Sequence, residues 1–252
     1  MPFIRVENLF VHLPIYNIHG LSLKKYLLRV TTGGRLQRAS NILVVEALRG
    51  ISFEIQDGDR IGLIGFNGSG KTTLLRTLAG VFRPTAGRIQ TDGRVVPLII
   101  TDVGLNDDAI GHDNIRTCAL SLGMTPKEID QKFDEIVAFT ELGEYLHLPL
   151  YALSTGMRTR ISFAVATAID AEILLLDEVI GTGDAAFVTK AMARFDTLIT
   201  RTRILMIASH NLGWVRTFCN KTMLLVDGRL IEFGPTEQVL ATYTSLIEKR
   251  SA

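Results

Sequence analysis

Eight consecutive residues near position 70 have the composition and spacing of a phosphate-binding loop. The run Gly65-Phe66-Asn67-Gly68-Ser69-Gly70-Lys71-Thr72 fits the pattern G-x-x-x-x-G-K-[ST] at every required position. Its glycines let the backbone curl around an anion with N–H groups pointing inward. We expect Lys71 to reach the β- and γ-phosphates of a nucleotide, and the Thr72 hydroxyl to complete a Mg²⁺ shell. The motif therefore predicts a nucleoside triphosphate site.

Acidic and histidine side chains follow two other apolar runs. Asp177 and Glu178 close the run 173–176, and a carboxylate at the end of a buried strand is costly unless a cation faces it. A Mg²⁺ ion beside the loop would supply that charge, so Asp177 is a predicted metal ligand. Glu178 is a predicted general base for the attacking water. His210 ends the run 204–208 and is predicted near the phosphates, because the carboxyl ends of parallel strands border the ligand crevice.

A second helix start also has anion-binding features. Ser154 and Gly156 precede a helical pattern over residues 158–166, so they offer a hydroxyl, backbone N–H groups and the positive end of a helix dipole. From these residues alone, the start is either an ordinary N-cap or a phosphate site.

The elements that must position these residues are those of an α/β fold. Residues 61–64 predict a buried strand before the loop, and residues 73–79 predict a helix after it. The runs 60–64, 173–176 and 204–208 predict strands covered on both faces of a largely parallel sheet. Tight turns or hairpins, and hence an antiparallel part, are predicted at three pairs: Asp57-Gly58, Asp92-Gly93 and Asp227-Gly228.

The stretch 102–170 has a mainly helical pattern and indicates an insertion in the α/β core. Thr125, Pro126 and Glu128 predict a helix that begins with a capping box, and Gly143 is its predicted stop.

Composition limits the class of protein. Among 252 residues, 27 are Lys or Arg and 26 are Asp or Glu, which argues against nucleic acid as a partner. No apolar run approaches the ~18–20 residues that span a bilayer, and the first residues lack the pattern of a signal peptide. Cys118 and Cys219 are far apart in sequence, so neither a zinc site nor a disulfide framework is indicated. We expect a cytoplasmic, reduced, non-spanning chain.

Residues 24–38 carry five basic side chains and no acidic one. This segment is either an excursion with a solvated basic face or a short amphipathic helix facing a membrane subunit or anionic headgroups.

Together these motifs resemble those of the ATP-binding cassette family. Residues 65–72 match its Walker A motif, residues 153–157 stand where its LSGGQ signature belongs, and residues 173–177 with Glu178 match Walker B. Asp184 looks like the D-loop aspartate and His210 like the switch histidine. The resemblance implies a P-loop NTPase (RecA-like) core with a mixed sheet, an antiparallel β part and an inserted helical subdomain. The implied limits are 1–97 and 160–252 for the core and β part, and 98–159 for the helical subdomain.

The resemblance also implies ATP and Mg²⁺ as ligands and a head-to-tail homodimer. Ser154, Thr155, Gly156 and Met157 of one chain would cap the ATP held by the other. ATP would close the dimer and hydrolysis would open it, moving a polytopic membrane permease subunit at the cytoplasmic face of the membrane. The implied ATP-binding residues are Gly65, Phe66, Asn67, Gly68, Ser69, Gly70, Lys71, Thr72, Thr73 and Tyr16. Thr72 and Asp177 are the implied metal ligands, and Glu178 and His210 the implied catalytic residues.

A narrower likeness is to the polysaccharide-export branch of that family. Ser-x-Gly-Met in the signature, Gly-Asp-Ala-Ala-Phe at 183–187 and Pro14-Ile15-Tyr16 before the basic segment resemble this branch. The branch exports O-antigen, capsule or teichoic-acid chains as lipid-linked polysaccharide, so the segment 21–38 would lie near the membrane subunit.

The sequence departs from the family pattern at two places. Residues 97–102 contain no Q-loop glutamine, and Asp102 is the candidate that replaces it. Tyr16 is the first candidate for stacking on adenine; Leu13 and Tyr26 are the alternatives.

Other functions remain open as alternatives. An exporter ATPase for a different substrate fits the same motifs, because the membrane partner determines most of the substrate choice. A soluble cassette ATPase acting on DNA ends or ribosomes usually has a long coiled coil or two cassettes in one chain. A GTPase usually has Asn-Lys-x-Asp, and the nearest string, residues 220–223, fails at Met223.

Overall fold

Strands and helices alternate along the computed structural model, which describes residues 1–15, 36–39, 42–98, 104–177 and 185–251. The strands are β1 (Phe3–Ile15), β2 (Leu36–Ala39), β3 (Ile42–Ile55), β4 (Arg60–Ile64), β5 (Ala86–Asp92), β6 (Val95–Leu98), β7 (Ile173–Asp177), β8 (Ile204–Ala208), β9 (Lys221–Val226) and β10 (Arg229–Pro235). The helices are α1 (Lys71–Leu78), α2 (Gly111–Ser121), α3 (Pro126–Thr140), α4 (Thr155–Ala168), α5 (Ala185–Arg201), α6 (Leu212–Phe218) and α7 (Thr236–Ser251), with short 3₁₀ helices at Gly143–His147 and Leu150–Ala152. Within these described ranges, no helix combines the length and the apolar character needed to cross a bilayer.

The chain folds as two compact units. The first contains residues 1–93 and 206–252, and the second contains residues 94–205. The boundary at 205/206 lies within β8. The sequence-based limits of the core and the helical subdomain stay a prediction.

An antiparallel sheet forms one part of the first unit. Its strand order is β2-β3-β1-β5, and each neighbouring pair is antiparallel. Alternate apolar side chains of β1 are buried: Ile4, Val6, Leu9 and Val11 are at most 1% exposed. An antiparallel part is therefore present as predicted, but none of the three Asp-Gly pairs joins two strands of this sheet; Asp92-Gly93 lies between β5 and β6, which are not paired.

A mixed set of strands forms the other part of this unit. β4 is parallel to β9, and β9 is antiparallel to β10. Continuous apolar sequence produces β4, where Ile61, Leu63 and Ile64 are fully buried. Asp227-Gly228 forms the β9–β10 hairpin turn, as predicted. Asp57-Gly58 is also a turn, and it joins β3 to β4. These two strands do not form a hairpin, because β4 pairs with β9.

The second unit combines two parallel strands with the helical stretch. β6 pairs with β7 in a register that matches Val95 with Ile173. The predicted capping box is present at α3: Glu128 N–H donates to Thr125 Oγ1 (3.3 Å), and Thr125 N–H donates to the Glu128 carboxylate (2.7 Å). The predicted stop at Gly143 is wrong, because α3 ends at Thr140 and Glu141 takes the left-handed conformation with φ 56°.

Three phenylalanine rings join the helices of the second unit. Phe139 on α3, Phe163 on α4 and Phe187 on α5 lie with their centroids 5.7–6.3 Å apart. The Arg160 guanidinium covers the Phe187 ring at 4.5 Å from its centroid. A cation over an aromatic face is attracted by the ring quadrupole, so these contacts fix α4 against α5.

Candidate functional site

The glycine-rich loop lies between β4 and α1 in the first unit, and its conformation requires glycine at both ends. Gly65 has φ 148°, and a Cβ there would overlap the Leu225 carbonyl oxygen and lie 2.7 Å from Ser69 Oγ. Gly70 has φ 108°, and a Cβ there would lie 2.9 Å from the Ala47 carbonyl oxygen. These are positions where L side chains are strained, so the loop shape depends on the glycines.

Lys71 points its ammonium back into the loop. Lys71 Nζ donates to the carbonyl oxygens of Gly65 (2.8 Å) and Phe66 (3.3 Å), and the residue is only 8% exposed. Ser69 N–H donates to the same Phe66 carbonyl (3.0 Å). A phosphate oxygen is an acceptor that such an ammonium binds by a charge-assisted hydrogen bond.

The first turn of α1 is open to an anion. The first intrahelical bond runs from Leu74 N–H to the Gly70 carbonyl (2.8 Å), so the N–H groups of residues 71–73 have no acceptor within the helix. That turn contains no acidic residue, and its cap, Gly70, contributes no side chain. Ser69 Oγ is buried and has no hydrogen-bond partner in the part of the chain that the structure describes. A buried hydroxyl without a partner is rare, and a phosphate oxygen would satisfy it.

The β9–β10 turn supports the loop from the other side. Gly228 N–H donates to the Ser69 carbonyl (2.9 Å), and Arg49 N–H donates to the Gly228 carbonyl (2.8 Å). The sequence predicts this Asp-Gly turn but carries no local signal that it binds the loop. The contact between Phe66 of the loop and Tyr243 of α7 was likewise not predicted; their ring centroids are 5.5 Å apart.

His210 follows β8 in the same unit and is exposed. The residues on both sides of it are held in place. Ser209 N–H donates to the Leu63 carbonyl (3.3 Å), and Asn211 Oδ1 caps α6 by accepting from Gly213 N–H (2.9 Å). Because Leu63 is in β4, this bond places His210 near the strand end that leads into the loop. Its role at the phosphates stays a prediction.

The predicted signature residues begin α4 in the second unit. Ser154 is the N-cap, and its Oγ accepts from Met157 N–H (3.3 Å). The hydroxyl proton of Ser154 can still be donated to another molecule. Ser154 and Thr155 are exposed, and a Cβ at Gly156 would meet only Ser154 Oγ, at 4.0 Å. This helix start therefore faces open space with its N–H groups and hydroxyl.

Asp177 is the last residue of β7 and is half-buried. In the described parts of the chain, no cluster of three or more His, Cys, Asp or Glu side chains could hold a metal ion. The predicted Mg²⁺ ligands, Thr72 and Asp177, stay a prediction.

Several predicted residues lie outside the described residues. They are Tyr16, Tyr26, Asp102, Glu178, Asp184 and the basic residues Lys24, Lys25, Arg29 and Arg35. Arg38 is described only in its backbone, within β2. The roles assigned to these residues stay predictions. Leu13, the alternative adenine contact, lies in β1 opposite Val45.

Comparison with known proteins gives consistent matches. A family model described as "ABC transporter" matches residues 48–181. The O-antigen export system ATP-binding protein RfbE of Yersinia enterocolitica is 42% identical over 227 residues, which are 90% of this chain and 95% of that protein. The teichoic acids export ATP-binding protein TagH of Staphylococcus haemolyticus is 36% identical over 80% of this chain and 76% of its own length.

Solved structures match at the level of the fold. The ATP-binding subunit of an ABC transporter superposes with a TM-score of 0.67 at 17% identity, over 96% of this chain and 93% of that chain. A dimeric ATP-binding cassette bound to ADP and Pi superposes with a TM-score of 0.65 at 17% identity, over 92% of this chain and 98% of that chain. These matches confirm the predicted α/β fold class of a P-loop NTPase.

Proposed function

The chain belongs to the ABC transporter family, and from that premise we propose that it is the ATP-hydrolysing subunit of a transporter that exports a lipid-linked polysaccharide. The observation that carries this proposal is the 42% identity with an O-antigen export ATP-binding protein over 95% of that protein's length. A teichoic acids export protein is related over 80% of this chain. Both names indicate envelope glycans as the class of cargo.

The phosphate loop is the proposed ATP site. Lys71 Nζ binds the β- and γ-phosphates, the N–H groups of residues 71–73 surround them, and the buried Ser69 hydroxyl donates to a phosphate oxygen. The open first turn of α1 and the unpartnered Ser69 Oγ support this assignment. Asn67 and Gly68 at the exposed tip of the loop line the same phosphates.

Thr72 and Asp177 are the proposed ligands of Mg²⁺. When bound, this ion would neutralise charge on the phosphates. Glu178 accepts the proton of the attacking water, and His210 holds the γ-phosphate or orients that water. Asp184 is the proposed D-loop aspartate, and Tyr16 the proposed adenine contact.

The signature helix start is proposed to act on the ATP of a second chain. An exposed Ser154 hydroxyl and the N-terminal N–H groups of α4 are suited to the γ-phosphate, because they place donors and a positive dipole end toward open space. Closure of a head-to-tail homodimer would then complete both ATP sites.

The proposed location is the cytoplasmic face of the membrane, bound to a polytopic permease subunit. The basic segment 24–38 is the proposed region near that subunit and near the lipid-linked headgroup. Charge reversal of Lys24, Lys25 and Arg29 is then expected to impair glycan export, and unchanged export would count against this role.

Co-purification tests the proposed function directly. A tagged Glu178→Gln variant, which we expect to bind ATP without turnover, is extracted from membranes in mild detergent with ATP and Mg²⁺. The expected result is a stoichiometric polytopic membrane protein together with lipid-linked glycan. If a membrane protein is recovered with a different cargo, the role in transport stands and the assignment of lipid-linked polysaccharide as the substrate is wrong. Recovery with ribosomes, DNA or nothing would contradict a role in transport.

A further inference from the structure

The phosphate loop touches the last helix of the chain. The rings of Phe66 and Tyr243 have centroids 5.5 Å apart, with their planes inclined at 56°. Tyr243 lies on α7 and is 8% exposed, so its ring is held inside the first unit. The contact therefore joins a buried helical side chain to the second residue of the loop.

Phe66 is also the residue whose backbone holds the groups proposed to bind phosphate. Its carbonyl oxygen accepts from Lys71 Nζ (3.3 Å) and from Ser69 N–H (3.0 Å). Rotation of this peptide would break both of these hydrogen bonds and so disturb the positions of the Lys71 ammonium and of Ser69. A contact that fixes the Phe66 ring therefore restrains both groups.

α7 is anchored firmly enough to provide that restraint. Thr236 Oγ1 donates to the Cys219 carbonyl (3.0 Å), and Thr222 Oγ1 donates to Thr236 Oγ1 (3.1 Å), both in buried surroundings. These hydrogen bonds set the position of the start of the helix that carries Tyr243.

We propose that Tyr243 is a positioning residue of the nucleotide site. Its ring holds Phe66 so that Lys71 and Ser69 are already placed when the nucleotide arrives, and α7 thereby determines part of the nucleotide affinity. This inference rests on the proposed assignment of the loop as the ATP site. Without the ring pair, the cost of ordering the loop falls on the binding step. The interaction of such a pair then corresponds to a loss of about three- to tenfold in nucleotide affinity.

The test compares three variants of the full chain. Tyr243→Ala removes the ring, Tyr243→Phe keeps it, and Leu240→Ala removes an equally buried side chain from the preceding turn of the same helix. For each variant, the Kd for a fluorescent ATP analogue with Mg²⁺ and the melting temperature are measured. We expect Tyr243→Ala to bind about three- to tenfold more weakly, Tyr243→Phe to bind like the wild type, and Leu240→Ala to melt earlier with unchanged Kd.

Phe66→Ala removes the same contact from the loop side and keeps the test decisive if Tyr243→Ala does not fold. Wild-type affinity in a folded Tyr243→Ala or in Phe66→Ala would overturn the positioning role. Equal weakening by Leu240→Ala would overturn it too, because loss of stability alone would then explain the result. Lys71→Ala distinguishes a wrong role for Tyr243 from a wrong ATP site. If Lys71→Ala binds the nucleotide like the wild type, the assignment of the loop as the ATP site is wrong.

Discussion

Gly65 and Gly156 both lie in motifs proposed to bind phosphate, but a side chain at each position would meet different surroundings. Gly65 has φ 148°, and a side chain there would collide with the Leu225 carbonyl. Gly156 is helical and has open space where a Cβ would stand. At the residue scale, the fold of the chain requires the first glycine and does not require the second.

Alanine substitution distinguishes these two glycines. We expect Gly65→Ala to lower the free energy of unfolding by more than about 1 kcal/mol, because the backbone conformation is unsuited to a side chain. Gly156→Ala is expected to leave it unchanged or raise it by up to about 1 kcal/mol, since alanine favours helix. Urea unfolding followed by circular dichroism measures the stability of both variants. Equal unfolding midpoints for Gly65→Ala and Gly156→Ala would contradict the expected difference between the two glycines.

Lys71→Ala is the sharpest residue-scale test of the ATP site. Charge-assisted hydrogen bonds to phosphate are worth roughly 1.5–3 kcal/mol each, so we expect nucleotide affinity or turnover to fall at least about tenfold. Lys127→Ala, at an exposed lysine in the first turn of α3, is the matched control. Circular dichroism checks that both variants are folded, and full activity of a folded Lys71→Ala would contradict the assignment.

At the scale of single elements, α3 shows how a local motif is joined to its unit. The Thr125 N–H donates to the Glu128 carboxylate, and Arg94 Nη1 donates to the same carboxylate (2.7 Å). These bonds, the Thr125 N–H first, lower the pKa of Glu128 to about 2. Arg94 also donates to the Gly123 carbonyl (2.7 Å), so the residue before β6 holds the start of α3.

This lowered pKa predicts a dependence of stability on pH. Because the folded-state pKa of Glu128 lies below its ordinary value of 4.5, its contribution is complete above that value and is lost as the pH falls toward about 2. We expect wild type to be more stable than Glu128→Gln at pH 7, and the difference to narrow between pH 4.5 and pH 2. Urea midpoints at successive pH values measure this. If the difference in stability between wild type and Glu128→Gln stays constant down to pH 3, the lowered pKa of Glu128 does not contribute to stability.

Elements with a strong local cause could be predicted from the sequence. Continuous burial of apolar residues produced β4 and β8 at the predicted bounds, and the Thr125 capping box produced the start of α3. The stop at Gly143 failed because Glu141 adopts the left-handed conformation that glycine usually provides.

Contacts between distant parts of the chain could not be predicted in the same way. The hydrogen bond from Gly228 to Ser69 and the ring contact between Tyr243 and Phe66 depend on which strands become neighbours. Their residue types are ordinary for a turn and a helix. Within the candidate site, the sequence therefore predicted the groups that would bind phosphate and missed the residues that hold them.

At the scale of the whole molecule, residues with proposed roles belong to both compact units. The phosphate loop and His210 belong to the first, and the Ser154 helix start and Asp177 belong to the second. Each unit orders its own part: the β9–β10 turn supports the loop, and the phenylalanine cluster fixes α4 against α5. Under the proposed dimer, each ATP would be bound by groups from two chains.

Ser154→Arg tests the dimer. Ser154 is exposed, so we expect the arginine variant to fold with the loss of one N-cap, about 1 kcal/mol, and to bind nucleotide as a monomer. Ser154→Thr keeps a capping hydroxyl and is the control. Analytical ultracentrifugation in the Glu178→Gln background with ATP measures dimer formation; we expect dimers for threonine and none for arginine. Equal dimerisation of the two variants would exclude a role of Ser154 in the partner's site.

The hydrogen bond between Gly228 and Ser69 determines when, during synthesis of the chain, the phosphate loop can take its supported conformation. The loop is translated early, but one of its supports is made only after β9, and Tyr243 follows later still. Long-range contacts form only when both segments are available to the folding chain. A ribosome-bound chain that ends after His210 contains all the proposed catalytic motifs without either support. Newly made chains would therefore acquire full nucleotide affinity only after Gly228 and Tyr243 have been translated.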